Sequence, residues 1–135
     1  MNESQSAAKF ERIRKAHLSE VMEDYVEMIA DLIEETGEAR AVDLAARFGV
    51  TSPTVNATVQ RLQREGLVDT RPYRSIFLTE AGMKLAQSCK ERHQIVHDFL
   101  VSIGVPSDVA DADAEGMEHH ISDYTLSLFR KAIAE

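Results

Sequence analysis

A chain of 135 residues with 44% apolar content can bury one core or two small ones and little more. Its single cysteine, Cys89, excludes an internal disulfide and a thiolate-rich zinc site; no run approaches the ~18 apolar residues that span a bilayer, and the Ser-, Glu- and Lys-bearing start lacks a signal peptide's apolar stretch, so a cytoplasmic protein is expected. A net charge of −8 argues against a polyanionic partner until its distribution is considered: Arg40 to Arg74 holds six arginines against Asp43, Glu65 and Asp69, a local +3 within a remainder of −11.

Residues 1–17 are polar, with Phe10 and Ile13 set among Lys9, Arg12, Arg14 and Lys15. They are expected to be a solvated, partly helical leader, or an arm that touches DNA phosphate. From Leu18 to Thr36, Val21, Tyr25, Val26, Ile29, Leu32 and Ile33 recur at helical spacing, and Gly37 supplies the stop. Asp24 and Glu27, three apart, project from one side of this helix; alone they would be a solvated face.

A short helix follows in Arg40–Val50, with Leu44, Ala45 and Phe48 inward and Gly49 at its end. Ser52-Pro53 then opens another, with a capping hydroxyl and a first-turn proline. Val55, Val59 and Leu62 form its buried stripe, leaving Ser52, Thr54, Asn56, Ala57, Gln60, Arg61 and Arg64 outward. Two short helices about a glycine turn, the second rich in small polar and amide side chains, form a helix-turn-helix pattern. Leu67–Arg71 and Ser75–Thr79 are strand-forming runs joined by Pro72-Tyr73-Arg74, which makes a hairpin wing with arginines near its tip. Residues 18–79 are thus expected to be a winged helix. Base or water-mediated contacts fall to Ser52, Pro53, Thr54, Asn56, Ala57 and Gln60 at the helix N-terminus, and phosphate contacts to Arg61, Arg64, Arg71 and Arg74.

Thr79 caps a long helix from about Glu80 to Ile103, in which Leu85, Cys89, Ile95, Val96, Phe99 and Leu100 imply cover on more than one side. Gly104-Val105-Pro106 breaks it. A further helix from Ser107 or Asp108 is expected to run through Met117 to Ile121, and a last one from Tyr124 to Ala134. This tail, residues 80–135, is too small to stand alone, so its apolar surface implies a homodimer. The fold class expected is mainly α: a winged helix-turn-helix with a small β-hairpin wing, then an all-helical dimerisation domain.

In Glu115-x-x-Glu118-His119, positions i, i+3 and i+4 fall within about 100° of one helical face and can address one point. His120, rotated a further ~100°, is the weaker candidate. His93 lies on the preceding helix, with His97 one turn after it as a possible ancillary donor. Gathered carboxylates repel, by roughly 4 kcal/mol for a pair ~4 Å apart at an effective dielectric of ~20, so they close around a cation or a proton. Oxygen donors with one or two imidazoles and no thiolate favour Mn²⁺ or Fe²⁺ over a structural Zn²⁺, although Co²⁺ and Zn²⁺ can substitute.

Met22-Glu-Asp-Tyr-Val-Glu27, the winged helix ending in Leu78-Thr-Glu-Ala-Gly82, Arg92-His93 and Glu115-Gly-Met-Glu-His-His120 together resemble the diphtheria toxin repressor family of metal-dependent transcriptional regulators, and within it the manganese transport regulator branch. The resemblance covers roughly residues 20–130. It implies a two-metal manganese site held by Asp24, Glu27, His93, Glu115, Glu118 and His119, and a metal-bound dimer that binds double-stranded operator DNA and represses manganese uptake genes. Iron-responsive relatives carry methionine and cysteine where Asp24 and Glu115 stand. His97 replaces what is often a glutamate, and the leader is longer than in some members. Three alternatives stand beside this reading: an Fe²⁺-responsive repressor of the same family, a winged-helix regulator answering to a small organic ligand, and a metallohydrolase. The last is disfavoured because Glu115-x-x-Glu118-His119 lacks the first histidine of the inverted zinc-protease signature and shows no base, so neither an enzyme nor an organic substrate is expected.

Overall fold

The computed structural model describes residues 2–71 and 75–135. In chain order it has helix α1 (Glu3–Thr36), strand β1 (Ala39–Arg40), helices α2 (Ala41–Phe48) and α3 (Ser52–Arg64), strands β2 (Val68–Thr70) and β3 (Ser75–Leu78), and helices α4 (Glu80–Ser102), α5 (Ser107–Met117) and α6 (Asp123–Ala134). No helix among the described residues is long and apolar enough to cross a membrane. The chain divides into two compact units, Met22–Gln87 and the pair of segments Met1–Val21 and Ser88–Glu135.

In the Met22–Gln87 unit, Tyr25, Val26, Ile29 and Leu32 of α1 meet Leu44 of α2, Val55, Val59 and Leu62 of α3, and Val68 and Ile76 of the strands in one buried cluster. Tyr25 stacks on Phe48 with ring centres 4.5 Å apart. The stripe expected in α3 is therefore the one that is buried. Its cap is not Ser52, however: Thr51 precedes the helix in extended conformation and its Oγ1 accepts from the Thr54 amide, which places Ser52 inside the first turn beside Pro53. The sheet has three antiparallel strands in the order β1-β3-β2, with Ala39 opposite Ile76 and Val68 opposite Leu78. Strand β1 was not expected, because two residues carry no readable periodicity. Gly37, at φ 87°, turns the end of α1 toward it, a left-handed conformation that side chains resist. The expected wing turn, with Arg74, lies outside the described residues.

Thr79 fastens the wing to α4. Its backbone N–H donates to the Leu67 carbonyl at 3.0 Å, its hydroxyl donates to the Gly66 carbonyl at 2.6 Å and accepts from the Gly82 amide at 3.1 Å. Gly82 packs so closely here that a Cβ would lie 2.1 Å from the Leu67 carbonyl oxygen.

In the other unit, Val96, Leu100, Ala110, Ala114 and Leu126 form the core, with Phe99 and Phe129 stacked at 3.9 Å between ring centres. The stretch expected to be a solvated, partly helical leader is mostly exposed and helical from Glu3, where α1 begins: no glycine or proline interrupts the chain before Thr36, and Asn2 and Gln5 exchange side-chain-to-amide bonds of 2.8 and 3.0 Å, a reciprocal cap. One expected boundary is corrected. Helix α5 stops at Met117 rather than continuing to Ile121. The Glu118 amide still bonds the Ala114 carbonyl, but the His120 amide bonds Met117 in a tighter turn, and Ser122 then caps α6 by accepting from Thr125. The Glu118 carbonyl, which a continuing helix would engage from residue 122, is taken by the Arg92 guanidinium instead.

Candidate metal centre and DNA-binding face

Helix α4 presents His93, and α5 with the turn after it presents Asp111, Glu115, Glu118 and His119. His93 Nδ1 lies 3.1 Å from Glu118 Oε2, while His119 Nε2 lies 3.3 Å from the other oxygen, Oε1. Glu118 therefore addresses two imidazoles, one with each oxygen. The Glu118 and His119 side chains are only 5% and 3% exposed, so this carboxylate is held where an unbalanced charge is costly. His93 Nε2 meets Asp111 at 2.8 Å. Burial disfavours the His93 imidazolium, but the hydrogen bond to Asp111 and the charges of Glu118, Asp111 and Glu115 outweigh it and raise the pKa above the usual histidine value. The site attracts positive charge.

Arg92 holds the turn that carries these donors. Its Nε donates to the Glu118 carbonyl at 2.9 Å, one Nη donates to the Ile121 carbonyl, and the other approaches Asp123 at 3.4 Å. The guanidinium thereby brackets His119 and His120 from both sides. Arg92 matters here for its position and not only as part of a motif.

Glu115 is exposed but close enough to act on His93. His97 is engaged by Asp98 at 3.0 Å and by the Ser107 hydroxyl at 3.2 Å. His120 turns its Nε2 to Glu20 Oε2 at 2.9 Å. Asp24 and Glu27 belong to the Met22–Gln87 unit and are half-buried there. Counting ~100° per residue, they stand within about 40° of Glu20 on α1. Two acidic groups escaped the sequence reading, and both had a signal: Asp111 is at i−4 from Glu115 and i−7 from Glu118, and Glu20 bears the same relation to Asp24 and Glu27.

On the Met22–Gln87 unit, Ser52, Pro53, Thr54, Asn56, Ala57, Gln60 and Arg64 are exposed along α3, and Arg61 is half-buried. Ser52, Asn56 and Gln60 share a groove of about 620 Å³ with Arg40, Gln63 and Arg71. Arg71 lies 5.3 Å over the Phe77 ring, which fixes its direction. Gln63 donates to Thr70 at 3.1 Å and joins α3 to the wing. Arg40 and Gln63 were not among the expected contacts; both flank the helix-turn-helix in sequence.

Residues 17–76 match the family model described as iron dependent repressor, N-terminal DNA binding domain, and residues 79–134 match that of its metal binding and dimerisation domain. The chain belongs to the iron-dependent repressor family. It is 52% identical to the transcriptional regulator MntR of Escherichia coli O157:H7 over 130 residues, which cover 96% of this chain and 84% of that one. It is 40% identical to the HTH-type transcriptional regulator MntR of Bacillus subtilis over 101 residues, 75% of this chain and 71% of that one. Among solved structures, a manganese-dependent transcriptional repressor in complex with manganese superimposes with a TM-score of 0.73 at 28% identity, and the manganese regulator SloR with 0.72 at 28%. Each alignment covers 84% of this chain, which spans about half of those longer proteins, 52% and 53%. The family is one of transcriptional repressors and not of enzymes, and its two parts, for binding DNA and for binding metal with dimerisation, are both represented here.

Proposed function

We propose that this chain is a manganese-responsive repressor that binds double-stranded operator DNA as a homodimer. Its metal donors would be Asp24, Glu27, His93, Glu115, Glu118 and His119. The observation that carries the reading is Glu118, a buried carboxylate with an imidazole at each oxygen, which gathers negative charge and nitrogen donors where a divalent cation would be held. The donor set fits a hard ion: four carboxylates and two imidazoles, with Cys89, the one thiol, not among them. When bound, Mn²⁺ supplies the positive charge that lets these carboxylates converge.

The residues do the rest. His93 and Glu118 are pre-positioned by Asp111 and Arg92, so little ordering remains for binding to meet. Asp24 and Glu27 sit on the helix that also contributes Tyr25, Val26 and Ile29 to the core of the DNA-binding unit, so a restraint on those carboxylates restrains the unit itself. Two recognition helices in a dimer must match half-sites about one DNA turn apart, and fixing each unit favours that spacing. The linkage is reciprocal and typically amounts to about 1 to 3 kcal/mol. Exposed Ile103, Val109, Tyr124 and Leu128 supply apolar surface for the second copy. On DNA, Ser52, Pro53, Thr54, Asn56, Ala57 and Gln60 read base edges, and Arg61, Arg64, Arg71 and Arg74 hold phosphates.

The test is an operator-binding titration across Mn²⁺, Fe²⁺, Co²⁺ and Zn²⁺, repeated with Glu115→Ala. The expected result is tight binding with Mn²⁺ and loss of that response in the variant. Unchanged metal dependence in Glu115→Ala refutes the site; a stronger response to Fe²⁺ than to Mn²⁺ makes iron the signal; binding indifferent to metal or chelator points to an organic effector.

A further inference from the structure

We propose that Glu20 is a further donor of the metal centre and biases it toward Mn²⁺ over Zn²⁺, with His120 holding its carboxylate in place. The inference rests on the reading of Glu118 and His119 as metal donors. Glu20, His119 and His120 belong to one unit. A Glu20 oxygen and a His119 ring nitrogen lie within 4.8 Å of each other, close enough for both to reach one ion. On α1 itself, Glu20 stands one turn before Asp24 on the same face, and their oxygens come within the same distance.

His120 supports a donor and is not one itself. Its Nε2 lies 2.9 Å from Glu20 Oε2, which leaves Oε1 for a cation, since an ionised carboxylate offers lone pairs on both oxygens. Carboxylates that ligate metals are hydrogen-bonded in turn, and His120 sits on the turn that Arg92 holds from both sides. The donor count then decides the preference. His93, Glu115, Glu118 and His119 alone make a set of two nitrogens and two carboxylates, which suffices for four-coordinate Zn²⁺. An added carboxylate oxygen enlarges and hardens the set, which favours the octahedral, oxygen-rich environment that suits Mn²⁺.

The experiment measures Mn²⁺ and Zn²⁺ affinity on the full chain by competition against a chelating dye, for the parent protein, Glu20→Ala, His120→Ala and Glu115→Ala. Alanine suits a helix interior, so Glu20→Ala retains α1, which far-ultraviolet circular dichroism verifies. The expected result is that Glu20→Ala weakens Mn²⁺ binding at least about tenfold, the lower end of what loss of a ligand's support costs, while Zn²⁺ affinity falls much less, and that His120→Ala shifts both affinities in the same sense. Equal losses for the two ions overturn the proposal, because removal of a nearby charge or loosening of the helix acts on both alike. Parent-level Mn²⁺ affinity in Glu20→Ala also overturns it: if Glu115→Ala is weakened, the centre around Glu118 stands without Glu20, and if Glu115→Ala is unaffected too, the reading of that centre falls with it.

Discussion

Replacing Arg92 with methionine tests whether the metal donors are held ready or assembled on demand. The guanidinium donates to two backbone carbonyls, those of Glu118 and Ile121, and its third contact is to an Asp123 side chain that is 97% exposed. The exposed pair contributes little, whereas a hydrogen bond from a charged donor contributes ~1.5 to 3 kcal/mol. Methionine keeps most of the apolar stem, so the two carbonyl bonds account for most of the loss, about 3 kcal/mol, or roughly 10 °C in the melting temperature of a domain this size. The turn carrying Glu118 and His119 would then have to be ordered at each binding event, which weakens metal binding about 10- to 100-fold, as for other supports of metal ligands. Metal-free melting and Mn²⁺ competition against a chelating dye separate the two effects, and Arg92→Lys, which keeps one donor group, should recover part of the affinity. If Arg92→Met lowers the melting temperature while Mn²⁺ affinity stays at the parent level, Arg92 braces the fold and does not position the donors.

Gly82→Ala sets a Cβ against the Leu67 carbonyl and should destabilise the DNA-binding unit by about 1 to 3 kcal/mol, read by urea unfolding; an unchanged midpoint would mean that α4 does not press on the wing as described. Protonated His93 stabilises the metal-free fold: that contribution is complete below the unfolded value and fades as pH rises through the raised native one, so metal-free thermal stability should drop across that window and His93→Asn should abolish the drop. Since a ligand imidazole must be neutral, Mn²⁺ affinity should fall about tenfold per pH unit below the raised His93 value and level off above it, in competition assays at fixed ionic strength. On DNA, Gln60→Ala should cost about 1 to 3 kcal/mol at one base position, whereas Arg64→Ala should weaken all sequences alike and reduce the salt slope by about 1, both followed by fluorescence anisotropy.

The winged helix was legible because its signals are local. Apolar residues at helical spacing, the glycines after α1, α2 and α3 and the threonine before α4 each report on a few neighbouring residues. The errors arose where local signals compete or are too short. The helical pattern through residues 118–121 is genuine, but Ser122 and Arg92 offer the backbone better partners than another helical turn. Strand β1 exists only because β3 has a free edge beside Ala39. The full helicity of the leader was less legible than its exposure, because its composition is polar, although Asn2 and Gln5 spell a cap and no glycine or proline follows before Thr36. At the site, Glu118 and His119 stood out as a motif. Asp111 and Glu20 did not, because an acidic residue on a helix is ordinary until an imidazole is found facing it.

The continuity of α1 bears on how such a chain can vary in length. Glu20, Asp24 and Glu27 share a face only because every residue between them is helical. One inserted or deleted residue between Glu20 and Asp24 would turn the later carboxylates ~100° away from the earlier one, while substitutions at the intervening positions would leave the phase intact. Ahead of Glu20 no such phase has to be kept. Among relatives, gaps should therefore accumulate before this row of carboxylates and be absent within it.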